Sequence, residues 1–208
     1  MAAGSAGQRG GQEMNDLIFD QVFFSYEDKP VLQDVTMTFP AGQISILMGR
    51  SGIGKTTMFR LATGLLRPKK GHIWGIPEKG AGVLFQEDRL FPYYSIIENL
   101  KLCVPERSEE ELMGMLEDLG LAQEAHSLPG ALSGGMRRRV ALIRAAAVDR
   151  ELYLLDEPFN GLDEETKIWT IQWLKEKLAG KTVVIITHQA ADAQMLGGNI
   201  LQFEEKGV

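Results

Sequence analysis

The N-terminal third of the chain reads as short strand-like runs. Leu17 to Phe24 carries strand-type residues, and Val35 to Phe39 alternates apolar with polar, the period-2 pattern of a strand with one covered face. Pro40-Ala41-Gly42 is a turn. Ile44 to Met48 is then short and mostly apolar, as expected of a strand covered on both faces. Thr56 to Leu66 changes to helical spacing, and Arg67-Pro68 marks its end. Gly71 to Ile76 and Ala81 to Phe85 read as another strand pair.

After Gln86 the character changes, and from Ser95 to Val148 the spacing is mainly helical. Ser108 followed by Glu109, Glu110 and Glu111 opens a helix, with a capping hydroxyl and acids in the first turn. Gly120 ends it, Leu128 to Ala131 is a loop, and Ser133 opens the helix that holds Val140, Leu142 and Ile143. Leu152 to Leu155 returns to strand. Asp163 caps a helix through Leu178 that Gly180 stops, and Val183 to Ile186 is the next strand. A helical insertion thus interrupts a strand-helix core, which makes the fold class α/β.

Composition narrows the picture. A chain of 208 residues suggests one domain, or one domain with a subdomain. The formal net charge of -6 argues against general nucleic-acid binding. Arg137-Arg138-Arg139 is the one tight basic cluster and reads as a solvated helix face. With Cys103 as the single cysteine, no intrachain disulfide forms. No apolar run approaches the roughly 18 residues that span a bilayer. Residues 1–13 are small and polar. They read as a disordered tail or a remnant of expression, which leaves 14–208 as a single domain.

The candidate chemistry sits at strand ends. Gly49-Arg50-Ser51-Gly52-Ile53-Gly54-Lys55-Thr56 is a phosphate loop between a strand and a helix. Its glycines let backbone N–H groups turn toward phosphate oxygens, and the helix aims its positive end at the same anion. Lys55 is placed to reach the β- and γ-phosphates and Thr56 to coordinate Mg²⁺ through its hydroxyl. Asp156 closes an apolar strand, a typical place for a Mg²⁺ carboxylate, and Glu157 follows it. Gln86 and His188 each end or follow another apolar strand. A glutamine there can orient water and Mg²⁺.

With Leu132-Ser133-Gly134-Gly135-Met136 between the phosphate loop and the acidic strand end, the chain resembles the ATP-binding cassette (ABC) family over residues 15 to about 205. The resemblance implies a P-loop, RecA-like core sheet over about 14–86 and 150–208. It adds an antiparallel β subdomain and an inserted helical subdomain over about 87–149. It implies ATP contacts from Tyr26, whose ring would stack on adenine, and from Gly49, Arg50, Ser51, Gly52, Ile53, Gly54, Lys55, Thr56 and Thr57. Phe23 and Phe24 are rivals for the stacking place. Mg²⁺ would be held by Thr56, Gln86 and Asp156. Glu157 would polarise the attacking water, with His188 and Gln86 sensing the γ-phosphate. Ser133, Gly134, Gly135 and Asp163 would complete the ATP site of a second copy in a head-to-tail dimer.

Phe85-Gln86-Glu87-Asp88-Arg89-Leu90-Phe91-Pro92 looks like importer-type cassettes, those serving nitrate, sulfonate or taurine uptake above all. That likeness implies transmembrane permease subunits, an extracytoplasmic solute-binding protein in the same system, and a peripheral place on the cytoplasmic side of the cell membrane. Two positions depart from the family pattern: Arg138 stands where many members have glutamine, and Gln189 where aspartate is usual. The competing expectation is a soluble cassette ATPase that remodels protein or nucleic-acid complexes without transport.

Overall fold

The computed structural model describes residues 15–204; the expected tail over 1–13 lies outside them. Leu17–Tyr26 (β1) and Lys29–Phe39 (β2) form an antiparallel hairpin, and Lys70–Trp74 (β4) pairs with the other edge of β1. The second sheet is parallel. It takes Ile44–Met48 (β3), Gly82–Leu84 (β5), Leu152–Asp156 (β6), Thr182–Ile186 (β7) and Asn199–Gln202 (β8) in the order β5-β6-β7-β3-β8. The expected pairing of the strands near 71–76 and 81–85 therefore does not occur, because β4 joins the antiparallel sheet and β5 the parallel one. Strand periodicity reports which faces are covered, not which strand lies alongside.

Lys55–Ala62 (α1) follows the phosphate loop. It ends before the Leu66 that spacing suggested, because Thr63 closes the last turn and Gly64 takes a left-handed φ of 73°. Ile96–Lys101 (α2), Glu109–Asp118 (α3) and Gly134–Ala147 (α4) make up the helical insertion, with two 3₁₀ turns between α3 and α4. Ser95 with Glu98, and Ser108 with Glu111, form reciprocal capping boxes that set where α2 and α3 begin. Glu164–Lys177 (α5) and Ala190–Leu196 (α6) complete the helices.

The parallel strands carry two cores, one on each face. Leu152, Leu154, Val184 and Ile186 pack toward α1 and the antiparallel sheet. Tyr153, Leu155, Val183 and Ile185 alternate with them and pack toward the other helices. Every residue of β6 and β7 is buried, which is why these segments read as unbroken apolar runs. The insertion is not a separate core: Leu100, Leu112, Leu116 and Leu142 belong to the same cluster as Leu155 and Ile185. No helix among the described residues is long and apolar enough to cross a membrane.

Candidate nucleotide-binding site

Four of the five parallel strands deliver the candidate residues to one sheet edge. The phosphate loop follows β3, Gln86 follows β5, Asp156 ends β6 and His188 follows β7. This is the carboxyl edge, where open α/β sheets bind ligands. Tyr26, the loop from Ser51 to Thr57, Gln86, Asp156, Glu157 and His188 all line one cleft of about 830 Å³ there. Gly49 and Arg50 instead line an adjoining cavity of about 770 Å³, which shares Ser51, Gly52, Ile53 and His188.

The loop is built for an anion. Gly54 caps α1 at φ 116° with no side-chain hydrogen bond, and no acidic residue stands in the first turn. The N–H groups of that turn therefore face the cleft without a competing carboxylate. A Cβ on Gly54 would lie 2.7 Å from Leu32 Cδ2. Lys55 is buried and its ammonium donates to the carbonyls of Gly49 (2.8 Å) and Arg50 (2.9 Å). Burial holds its pKa below the usual lysine range, against the pull of Glu157 and Asp156. Tyr26 is 40% exposed at the cleft margin, set edge-on against Phe24, and its hydroxyl accepts from Arg60 Nη1 at 3.2 Å. Among the rivals, Phe24 is buried in the core, and Phe23 lies under the Lys70 ammonium.

Thr56 Oγ1 donates to Asp156 Oδ2 at 2.7 Å, across 100 residues of sequence. Burial pushes the Asp156 carboxyl upward, opposed by that hydroxyl, Arg138 and Lys55. Glu157 begins the loop in a left-handed conformation, φ 51°. Such a backbone is costly for a residue with a Cβ and persists only where its surroundings enforce it. Its N–H donates to the Ile186 carbonyl at 2.9 Å, and its own carbonyl accepts from Arg138. The Glu157 carboxyl is pushed up to about 7, by burial first and by Asp156 second. Its Oε1 lies 3.2 Å from His188 Nε2.

Thr56, Asp156 and Gln86 all line the cleft, and their hydroxyl, carboxylate and carboxamide oxygens are the hard donors that suit Mg²⁺. Among the described residues no cluster of three or more His, Cys, Asp or Glu makes a closed metal cage. Mg²⁺ characteristically takes few protein ligands and completes its shell with water and phosphate.

The residues expected to act in trans lie elsewhere. Ser133 caps α4, accepting from the Met136 N–H at 3.2 Å. Gly135 abuts the loop after β6, where a Cβ would meet the Gly161 carbonyl at 2.9 Å. Asp163 caps α5, both its oxygens bonded to Thr166. None of Ser133, Gly134, Gly135 or Asp163 lines the cleft that holds Lys55.

Two buried cations escaped the sequence reading. The arginine cluster is not a solvated face: Arg138 is 4% exposed and donates to backbone carbonyls, and Arg137 and Arg139 donate to the carbonyls of Leu132 and Leu119. Arg137 and Arg139 stay half-buried, and Arg138 is the one that turns fully inward, where backbone acceptors need partners. Lys167, on α5, is likewise buried, 2.6 Å from Gln189 Oε1 and 3.3 Å from Asp192 Oδ1. It ties α5 to the segment just after His188. A charge run at helical spacing gives no sign of which member turns inward.

Comparison with known proteins agrees with this geometry. The ABC transporter family model matches residues 32–160. The aliphatic sulfonates import ATP-binding protein SsuB 1 of Rhodococcus jostii (strain RHA1) is 36% identical over 189 residues, covering 88% of this chain and 77% of that protein. The taurine import ATP-binding protein TauB of Yersinia pestis bv. Antiqua (strain Antiqua) is 38% identical over 194 residues, covering 85% and 74%. Among solved structures, dimeric MJ0796, a bacterial ABC transporter cassette, superposes with a TM-score of 0.78 at 26% identity, covering 89% of this chain and 93% of that one. Its post-hydrolysis state bound to ADP and Pi gives 0.79 at 25% identity, covering 90% and 94%. Sheet order, cleft and sequence matches converge, and the chain belongs to the ABC transporter family, among its ATP-binding cassettes.

Proposed function

We propose that this chain is the ATP-hydrolysing subunit of an importer. Two copies close around two ATP molecules and drive separate permease subunits from the cytoplasmic face of the membrane. An extracytoplasmic solute-binding protein delivers the cargo. The observation that carries this reading is the Thr56–Asp156 bond of 2.7 Å beside Lys55, with Glu157 next in the chain and raised to about 7. A phosphate cradle, a Mg²⁺ diad and a carboxyl tuned toward neutrality meet in one cleft.

In this reading Tyr26 stacks on adenine, residues 49–57 hold the phosphates, and Thr56, Asp156 and Gln86 would hold Mg²⁺, which when bound would supply charge neutralisation on the phosphates. Glu157 takes the proton of the attacking water, and His188 Nε2 lies 3.2 Å from its Oε1, an oxygen that makes no hydrogen bond among the described residues. Ser133, Gly134, Gly135 and Asp163 serve the partner copy's nucleotide. Their absence from their own cleft supports that assignment. The core spans about 14–86 and 150–208, and the helical subdomain about 87–149. A sulfonated small solute is the cargo class, supported by the sulfonate and taurine importers among the relatives.

Residues 87–99 are the docking surface for the permease. Phe91, Tyr93 and Tyr94 are 46%, 90% and 45% exposed, so these rings are not a local core. Asn99, fully buried, accepts from the Phe91 N–H and donates to the carbonyls of Phe91, Tyr94 and Ser95. That one side chain stiffens the loop with its aromatics outward. Aromatic and arginine side chains are the usual interface anchors.

Lys55→Ala tests the cleft assignment. The variant loses the buried charge partner of the phosphates, and ATP binding measured by calorimetry should become undetectable or fall severely. Binding and hydrolysis at the parent level would remove the phosphate-loop reading.

A further inference from the structure

Arg138 sits on a seam between two loops of the cleft. In the loop after β5, its Nη1 donates to the carbonyls of Phe85 (2.8 Å) and Gln86 (3.2 Å) and meets Asp88 Oδ1 at 3.1 Å. At the end of β6, Nη2 donates to the carbonyls of Asp156 and Glu157, and Nε also reaches Glu157. All three nitrogens are engaged and the side chain is 5% exposed. The parallel ladder between β5 and β6 ends at Leu84 and Leu155. Beyond that rung no strand pairing joins the segment bearing Gln86 to the one bearing Asp156 and Glu157. Arg138 takes over where the ladder stops.

The arrangement needs this side chain in particular. A guanidinium carries five N–H donors in a rigid planar fork. Glutamine, frequent here in the resembled family, has two donors on one nitrogen and reaches one side of the seam. The fork also holds the Glu157 peptide in its left-handed conformation from the carbonyl side, while the Ile186 carbonyl holds its N–H.

We propose that Arg138 is a positioning residue. It clamps the loop bearing Gln86 to the strand end bearing Asp156 and Glu157, so that displacement of the aromatic segment 87–94 reaches Glu157 through one side chain. The inference rests on reading Glu157 as the water-activating group and 87–99 as the docking surface.

The test compares the full chain with Arg138→Met and Arg138→Gln, measuring ATP affinity, steady-state hydrolysis and backbone hydrogen exchange. Arg138 does not line the nucleotide cleft, so affinity should stay within about threefold of the parent. In Arg138→Met, which keeps bulk and loses every donor, kcat should fall by at least tenfold, with Arg138→Gln between it and the parent. Exchange should rise in both 85–89 and 156–160 while the sheet strands stay protected.

Hydrolysis within threefold of the parent in Arg138→Met would overturn the proposal. So would affinity and kcat falling together with exchange raised throughout α4, which is the behaviour of an ordinary core residue. If Arg138→Met does not fold, the same criteria apply to Arg138→Gln, with a kcat loss above threefold required. Glu157→Gln run alongside separates the two claims. Parent-level hydrolysis there removes Glu157 from the chemistry, whereas the paired rise in exchange judges the clamp alone.

Discussion

Glu157 shows how much one residue is held against its own preference. Its backbone is left-handed, and its carboxyl is pushed up to about 7 by burial and by neighbouring Asp156, against Lys55 and Arg138. A carboxyl raised in the folded state binds its proton more tightly there than in the unfolded chain. Its contribution to stability is therefore complete below the unfolded value near 4.5 and is lost as pH rises through about 7. In the nucleotide- and Mg²⁺-free chain, Glu157→Gln should raise Tm by a few degrees at pH 8, roughly what a kcal/mol or two gives a domain of this size. At pH 5 that difference should nearly vanish. Equal melting at pH 8 would mean that Glu157 is not strained by its charge. The position of Glu157 is legible in sequence as a carboxylate after an apolar run. Its φ and the burial that chiefly raises its carboxyl are not, because the contacts that enforce them, Arg138 and Ile186 among them, lie far along the chain.

At the scale of elements, what the sequence reveals depends on how far the deciding contact lies. β3, β6 and β7 are legible because burial on both faces leaves nearly pure apolar runs, and the Ser108 and Asp163 caps because their partners are three residues away. β8 is not: Asn199–Gln202 has no fully buried residue and owes its place to pairing with β3. The first half of β2 is hidden by Pro30, tolerated because the strand is at the sheet edge. Lys167 on α5 is another long-range case, its ammonium facing Asp192 with both side chains under a tenth exposed. Removing one member of such a pair leaves a buried charge alone, at about 3–5 kcal/mol. Lys167→Ala should accordingly lower Tm by about 10 °C, and Lys167→Met combined with Asp192→Leu should recover most of the loss. A Lys167→Ala protein that melts with the parent would show that the pair is solvated.

The whole molecule is a parallel sheet with a core on each face, the candidate site at the strand ends, and a helical arm fused to one core. Because α2 and α4 share that core with β6 and β7, the arm and the cleft form one packed body, with the aromatics at 91–94 exposed on its surface. Phe91→Ala and Tyr94→Ala should leave the ATP hydrolysis of the isolated chain within about twofold while abolishing co-purification with the permease subunits. Folded variants that still co-purify at full yield would move the docking surface elsewhere.

The segment Leu132-Ser133-Gly134-Gly135-Met136 does not line its own cleft, so the account stands on a second copy supplying Ser133. The most direct measurement is the solution mass of the Glu157→Gln chain by light scattering in saturating ATP and Mg²⁺, with and without an added Ser133→Arg. The account predicts twice the 23.0 kDa chain mass for Glu157→Gln, and a single chain mass once Ser133→Arg is added. A Glu157→Gln protein that stays at one chain mass with ATP bound, or a dimer indifferent to Ser133→Arg, would contradict it.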